Sequence, residues 1–168
     1  MMVLIIVNMI TGYLVFLGDS QKQAKYSPQR PQTLYQGEMR PVKMYIQNTI
    51  HYNPQTSLGA AQFSRLLPAG GHLVHLNTTG EDVTYTVAMF HQLRCLDIIR
   101  NDYVSGTSSP LLRHCFNYLR QSILCLSDTR LESVRSPLAP TLVSLSSDHV
   151  CRDWTSLYAA AEMVYNSK

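Results

Sequence analysis

"FHQLRCLDIIR", residues 90–100, decides the fold. Phe90, Leu93 and Ile98 recur at helical rather than alternating spacing, which predicts a helix from about Val87 to Tyr103. A second stretch, "RHCFNYLRQSILC" at residues 113–125, repeats the theme of a histidine close to a cysteine. Its helix is predicted to begin after Pro110 and to run to about Leu126, because the first helical position needs no backbone donor and tolerates proline. The intervening "SGTSS" reads as a loop on composition alone, and two such helices packed antiparallel could bring their imidazoles together. On the first helix His91, Arg94 and Cys95 stand at i, i+3 and i+4 and share a face. On the second, His114 and Tyr118 are four apart, and Cys125 follows nearly three turns along.

Outward from this pair the signals weaken. "GAAQFSRLLPAGG" suggests a short helix stopped by Pro68 and Gly70-Gly71. "HLVHL" and "DVTYTVAMF" flank the turn-like "NTTG", predicting a β-hairpin from about His72 to Thr86. Downstream, a loop with Pro137 and Pro140 precedes a terminal helix near Cys151 to Tyr165. Upstream, residues 21–56 carry Pro28, Pro31, Pro41 and Pro54 and read as extended chain, with one strand at Val42 to Tyr52. The expected fold is mainly α with a small β-hairpin: one compact helical domain over residues 58–168, behind an extended lead-in at 19–57 and a membrane anchor at 1–18.

The anchor rests on "MMVLIIVNMITGYLVFL", residues 1–17, which holds no charge and reaches the lower length limit for a membrane span. A cleaved signal peptide is the competing reading, but a basic start and a small-residue cleavage site are not evident. Lys22, Lys25, Arg30, Arg40 and Lys43 follow the run, which by the positive-inside rule would hold the body in the cytosol. The sequon at Asn77-Thr78-Thr79 and possible disulfides suit the secretory lumen, which is the expected location of this single-pass protein's domain. Cys95, Cys115, Cys125 and Cys151 are all disulfide candidates, and no C-x-x-C pair supports a zinc ribbon or thioredoxin-type site. A Cys125–Cys151 bridge would tie the terminal segment to the second helix, stabilising it by about 2–4 kcal/mol. The net charge of +3 is mild and its basic residues are scattered, so no nucleic-acid partner is expected.

Two packed helices that each carry an inward histidine are how bundle proteins build metal sites, and imidazole suits copper, zinc or iron. Ordinary packing explains the same residues: a hydrogen-bonded histidine and cysteines acting as small hydrophobes. Arg94 opposes a metal unless a carboxylate such as Asp97 or Asp128 neutralises it, and it could equally serve an ion pair or clamp a substrate carboxylate. Tyr118 and Tyr103 could relay electrons or protons, or simply pack. Arg152-Asp153-Trp154 reads as a dock for the terminal segment, through an ion pair and aromatic burial.

"FHQLRCLDIIR", "HCFNYLRQSILCLSDTRLE" and "HVCRDWTSLY", in that order, resemble the UstYa-like family of fungal mycotoxin-biosynthesis proteins, over roughly Ala60 to Tyr158. The resemblance implies an oxidase of secondary metabolism that acts on a peptide, often a ribosomally made cyclic peptide, or on another metabolite intermediate by oxidative cyclisation, hydroxylation or desaturation. It also implies copper as cofactor and a doubled H-x-x-H-C signature. Here the first copy reads His91-Gln92-Leu93-Arg94-Cys95 and the second Leu111-Leu112-Arg113-His114-Cys115, so each keeps one histidine. The expected metal ligands are His91 and His114, with His149 as a third; His91, His114, Arg94 and Tyr118 are the expected catalytic residues. A non-catalytic subunit that partners a paralogous UstYa-like chain, and a metal-free cyclase or isomerase using Arg94 and a neutral histidine, are the alternatives.

Overall fold

The computed structural model describes residues 33–35, 37–78, 81–133, 143 and 146–167. From Leu34 onward these belong to one unit; the other unit, Met1–Thr33, lies outside the described residues apart from Thr33. The apolar run at residues 1–17 therefore falls outside the description, and among the described residues no helix is long and apolar enough to cross a membrane.

The chain order is β1 (Pro41–Ile46), α1 (Ser57–Ser64), β2 (Leu73–Thr78), β3 (Glu81–Thr86), α2 (Ala88–Ser105), α3 (Pro110–Leu126), β4 (Ser147–Arg152) and α4 (Thr155–Asn166). The two central helices form where the periodicity places them. Gly106, at φ 64°, ends α2 in the left-handed region that a side chain would disfavour, and the chain reverses at once. Ser109 then caps α3, its hydroxyl accepting from the Leu112 amide at 3.2 Å. Buried Asp102 locks this turn by accepting from the Ser109 amide at 2.9 Å and its hydroxyl at 2.6 Å. Those hydrogen bonds favour the ionised carboxylate and hold its pKa below the ordinary value. The predicted hairpin is also present, Leu73 pairing Thr86 and Val74 pairing Tyr85 in an antiparallel ladder.

The expectation of a mainly α fold needs correcting, because the structure has two small antiparallel sheets beside its four described helices and is mixed α/β. The second sheet joins β1 to β4, running from Pro41↔Arg152 to Ile46↔Ser147. It changes two expectations. The lead-in strand is shorter than Val42–Tyr52, and the terminal helix starts at Thr155, with Cys151 and Arg152 on a strand. Docking of the terminal segment also differs: Arg152 is exposed, the Asp153 amide donates to the Arg40 carbonyl at 2.9 Å, and the Asp153 carboxylate accepts from the Thr155 amide at 3.0 Å. Trp154 is half-buried.

The core is small and sits between the hairpin, α2 and α4. Phe90 is completely buried and packs with Val74 and Ala161, and Leu67, Leu93, Leu157 and Tyr158 close around them. The rings of Phe90 and Tyr158 meet edge-to-face at 5.0 Å, and the Tyr158 hydroxyl donates to the Leu66 carbonyl at 2.6 Å. Immediately after Phe90, the same helix carries His91, and one turn further Arg94 and Cys95. The core thus fixes the scaffold on which the site stands.

Candidate metal centre

The α2–α3 reversal brings antiparallel positions together: Asp102 meets Ser109 near the turn, and His91 meets Tyr118 farther along. Between them lie the motif residues. The Nε2 atoms of His91 and His114 are 3.4 Å apart, and their rings lie 5.5 Å between centroids at 21°. Tyr118 stacks on His91 at 4.0 Å and 25°. Together the three rings form a layered group, with His114 exposed and His91 half-buried.

Ligand atoms of His91, Cys95 and His114 all lie within 4.8 Å of one another. Metal–imidazole bonds of about 2.0–2.1 Å at near-tetrahedral angles separate two nitrogens by about 3.4 Å, which is the separation the two Nε2 atoms have here. The donor chemistry fits as well. Burial and the neighbouring charges of His114 and His72 all lower the His91 pKa, favouring the neutral ring that a metal requires. Cys95 is different, its thiol pushed up to about 12 by burial and by a hydrogen bond to Cys115, with only Arg94 pulling the other way.

Arg94 does not enter the group of ligand atoms. It lies 3.3 Å from Asp97, which also takes Arg100 at 2.8 Å, so the cation is tied to a carboxylate on its own helix. Asp128 is engaged by Arg130 instead. His149 stands apart on β4: its Nε2 meets the Ser147 hydroxyl at 2.6 Å and its Nδ1 meets Arg130. Guanidinium can only donate, so Nδ1 accepts and Nε2 carries the proton, which occupies both nitrogens. The predicted third ligand is therefore not brought to the cluster. Tyr103 is exposed on the far part of α2. The four cysteines are free thiols in the structure, and no Cys125–Cys151 bridge is made. Asn77 is exposed on β2, its amide 3.4 Å from Asp82.

Two features escaped sequence reasoning. A groove of about 410 Å³ runs from Tyr118 along the α2–α3 seam, with Gln92, Gln121 and Cys125 in its walls and no charged side chain among them. His72, at the mouth of the hairpin, adds its charge to the surroundings of His91. Its only signal in the sequence is its place just before the hairpin that leads into α2.

Comparison with known proteins gives this geometry a family. The family described as "Mycotoxin biosynthesis protein UstYa" matches residues 20–161. The UstYa family oxidase phomYb of Diaporthe leptostromiformis is 38% identical over 85 residues, covering 45% of this chain and 33% of that protein. The oxidase ustYa of Aspergillus flavus is 32% identical over 84 residues, covering 45% of this chain and 39% of the relative. The oxidase ustYb of the same fungus is 29% identical over 140 residues, covering 57% and 53%. The chain spans about a third to a half of the length of these relatives. No solved structure matches. With a match over residues 20–161 and the paired motif helices in place, the chain belongs to the UstYa family of mycotoxin-biosynthesis proteins.

Proposed function

We propose that this chain is an oxidoreductase of fungal secondary metabolism that holds one copper ion between His91 and His114 and oxidises a peptide or related metabolite intermediate. The observation that carries the reading is the 3.4 Å approach of the two Nε2 atoms, one from each half of the doubled motif. Copper, when bound, supplies a one-electron couple that imidazole ligands hold well. The chain's own residues do the rest. Tyr118 packs against the His91 ring and keeps its plane from turning. The adjacent groove offers an apolar bed with the carboxamides of Gln92 and Gln121, a combination suited to an uncharged segment bearing amide groups. Its Tyr118 wall would place a bound segment beside the imidazole pair, and the phenol can hold a proton at its oxygen.

Metal analysis of the purified chain tests this proposal. Near-unit copper in the native protein, lost in both His91→Ala and His114→Ala, supports it. Absence of copper, with no difference between native and variant chains, rejects the metal.

A second reading is a non-catalytic subunit that presents the groove to a catalytic paralogue. The observation favouring it is that Arg94 and Leu111 stand where the motif calls for histidine, Arg94 tied to Asp97 and Leu111 exposed. That reading requires full pathway output from both histidine variants. Membrane anchoring through residues 1–17 and a lumenal domain glycosylated at Asn77 complete the proposal, supported by the charge-free run and by exposure of Asn77. A glycosidase-sensitive mass shift that disappears in Asn77→Gln would support that placement.

A further inference from the structure

Each copy of the motif ends on a cysteine, and the metal reading leaves Cys115 without a task. The antiparallel α2–α3 pair puts Cys95 and Cys115 on facing positions, between the Asp102–Ser109 contact at 2.6 Å and the His91–Tyr118 stack at 4.0 Å. Both are 1% exposed, the most completely buried side chains after Phe90 among the described residues. Cys115 also acts on the Cys95 thiol, adding to the upward push of burial, as a near neighbour does. Cysteines at facing positions of two packed antiparallel helices, with contacts fixing the register on either side, are in the arrangement a disulfide needs.

We propose that Cys95 and Cys115 form a disulfide that staples α2 to α3 beneath the imidazole pair. An external small-molecule disulfide of the glutathione class is the oxidant. One cysteine thiolate attacks it, releasing one external thiol and leaving a mixed disulfide; the second attacks the protein-bound sulfur and releases the other. Two electrons pass from the cysteine pair to the external disulfide, and the two cysteine protons end on the released thiols. The reaction belongs to folding, before burial closes the site, because both cysteines are 1% exposed in the folded chain and out of reach of an external disulfide.

The staple also decides what a metal meets, a consequence that rests on the proposed copper reading. With the bond formed, Cys95 is withdrawn and two imidazoles remain. With the bond reduced, His91, His114 and Cys95 offer the two-histidine, one-thiolate donor set that gives copper an intense visible colour.

The test is disulfide mapping of the full chain. Samples refolded with oxidised glutathione or kept in dithiothreitol are freed of reagent, alkylated in denaturant without further reductant, and digested for mass spectrometry. In the oxidised sample, Cys125 and Cys151 should take the label while Cys95 and Cys115 appear only as a cross-linked peptide. Label on Cys95 and Cys115 in that sample, or a bridge from either to Cys125 or Cys151, overturns the proposal. Oxidation should raise the melting temperature by about 5–10 °C, since the bond closes a loop of some twenty residues. That rise should vanish in Cys115→Ser and persist in Cys125→Ser; a rise that survives Cys115→Ser contradicts the staple. Cupric ion should colour the reduced protein and not the oxidised one. Equal colour in both forms contradicts the withdrawal of Cys95, whereas failure of both to bind copper counts against the metal reading and leaves the mapping to judge the staple.

Discussion

At His91, burial, His114 and His72 all act against a proton. Its folded-state pKa lies below the 6.5 of a free imidazole, so the unfolded chain binds a proton more readily than the native one. The His91 share of stability is therefore complete above about pH 6.5 and is lost as pH falls through that value toward the lower folded pKa. Melting temperatures measured from pH 7.5 to 5 should decline, and His91→Ala should flatten the slope whatever it does to the absolute value. Arg94 gives the opposite kind of prediction. Its charge is paired with Asp97, outside the ligand group, so Arg94→Ala should leave copper stoichiometry within about 20% of native while His91→Ala removes it. The pairing of His91 with His114 was legible in the sequence, because helical spacing fixes which side chains share a face. His149 is not brought to the pair: its Nε2 meets Ser147 on its own strand, and its Nδ1 meets Arg130, nineteen residues earlier and brought there only by the fold.

The α2–α3 hairpin is the element on which the site depends, and its turn is the simplest place to loosen it. Ser109 caps α3 and donates to Asp102, so Ser109→Ala should cost about 1 kcal/mol in urea unfolding and weaken copper binding several-fold through disorder of the turn. Ser109→Asp keeps a capping oxygen but sets two carboxylates together, and it should be no better. Both helices were readable because their signals are local: apolar spacing, a glycine stop, a proline start. β4 was not. Its inward positions are Ser147, His149 and Cys151 while Val150 faces out, so alternation exists without a hydropathy contrast to reveal it. Its partner β1 lies about a hundred residues earlier, and no local rule announces such a pairing.

Across the described molecule, a small core carries a site at its edge. Phe90 is fully buried and adjacent in sequence to His91, so Phe90→Ala should destabilise by about 3–5 kcal/mol, enough to unfold a chain of marginal stability at 37 °C. Tyr158→Phe removes only the hydroxyl that reaches Leu66 and should cost about 1 kcal/mol in the same unfolding experiment, leaving copper binding intact. The contrast separates loss of scaffold from loss of ligand. What the whole fold accomplishes is the convergence of two half-motifs into one pair of nitrogens at bonding separation for a single ion. Electron spin resonance of the copper-loaded full chain, with pulsed detection of remote imidazole nitrogens, counts those ligands directly. Two equivalent imidazoles in the native protein, falling to one in His114→Ala, is the predicted result; a spectrum with no imidazole, or one unchanged by His114→Ala, would contradict the shared site.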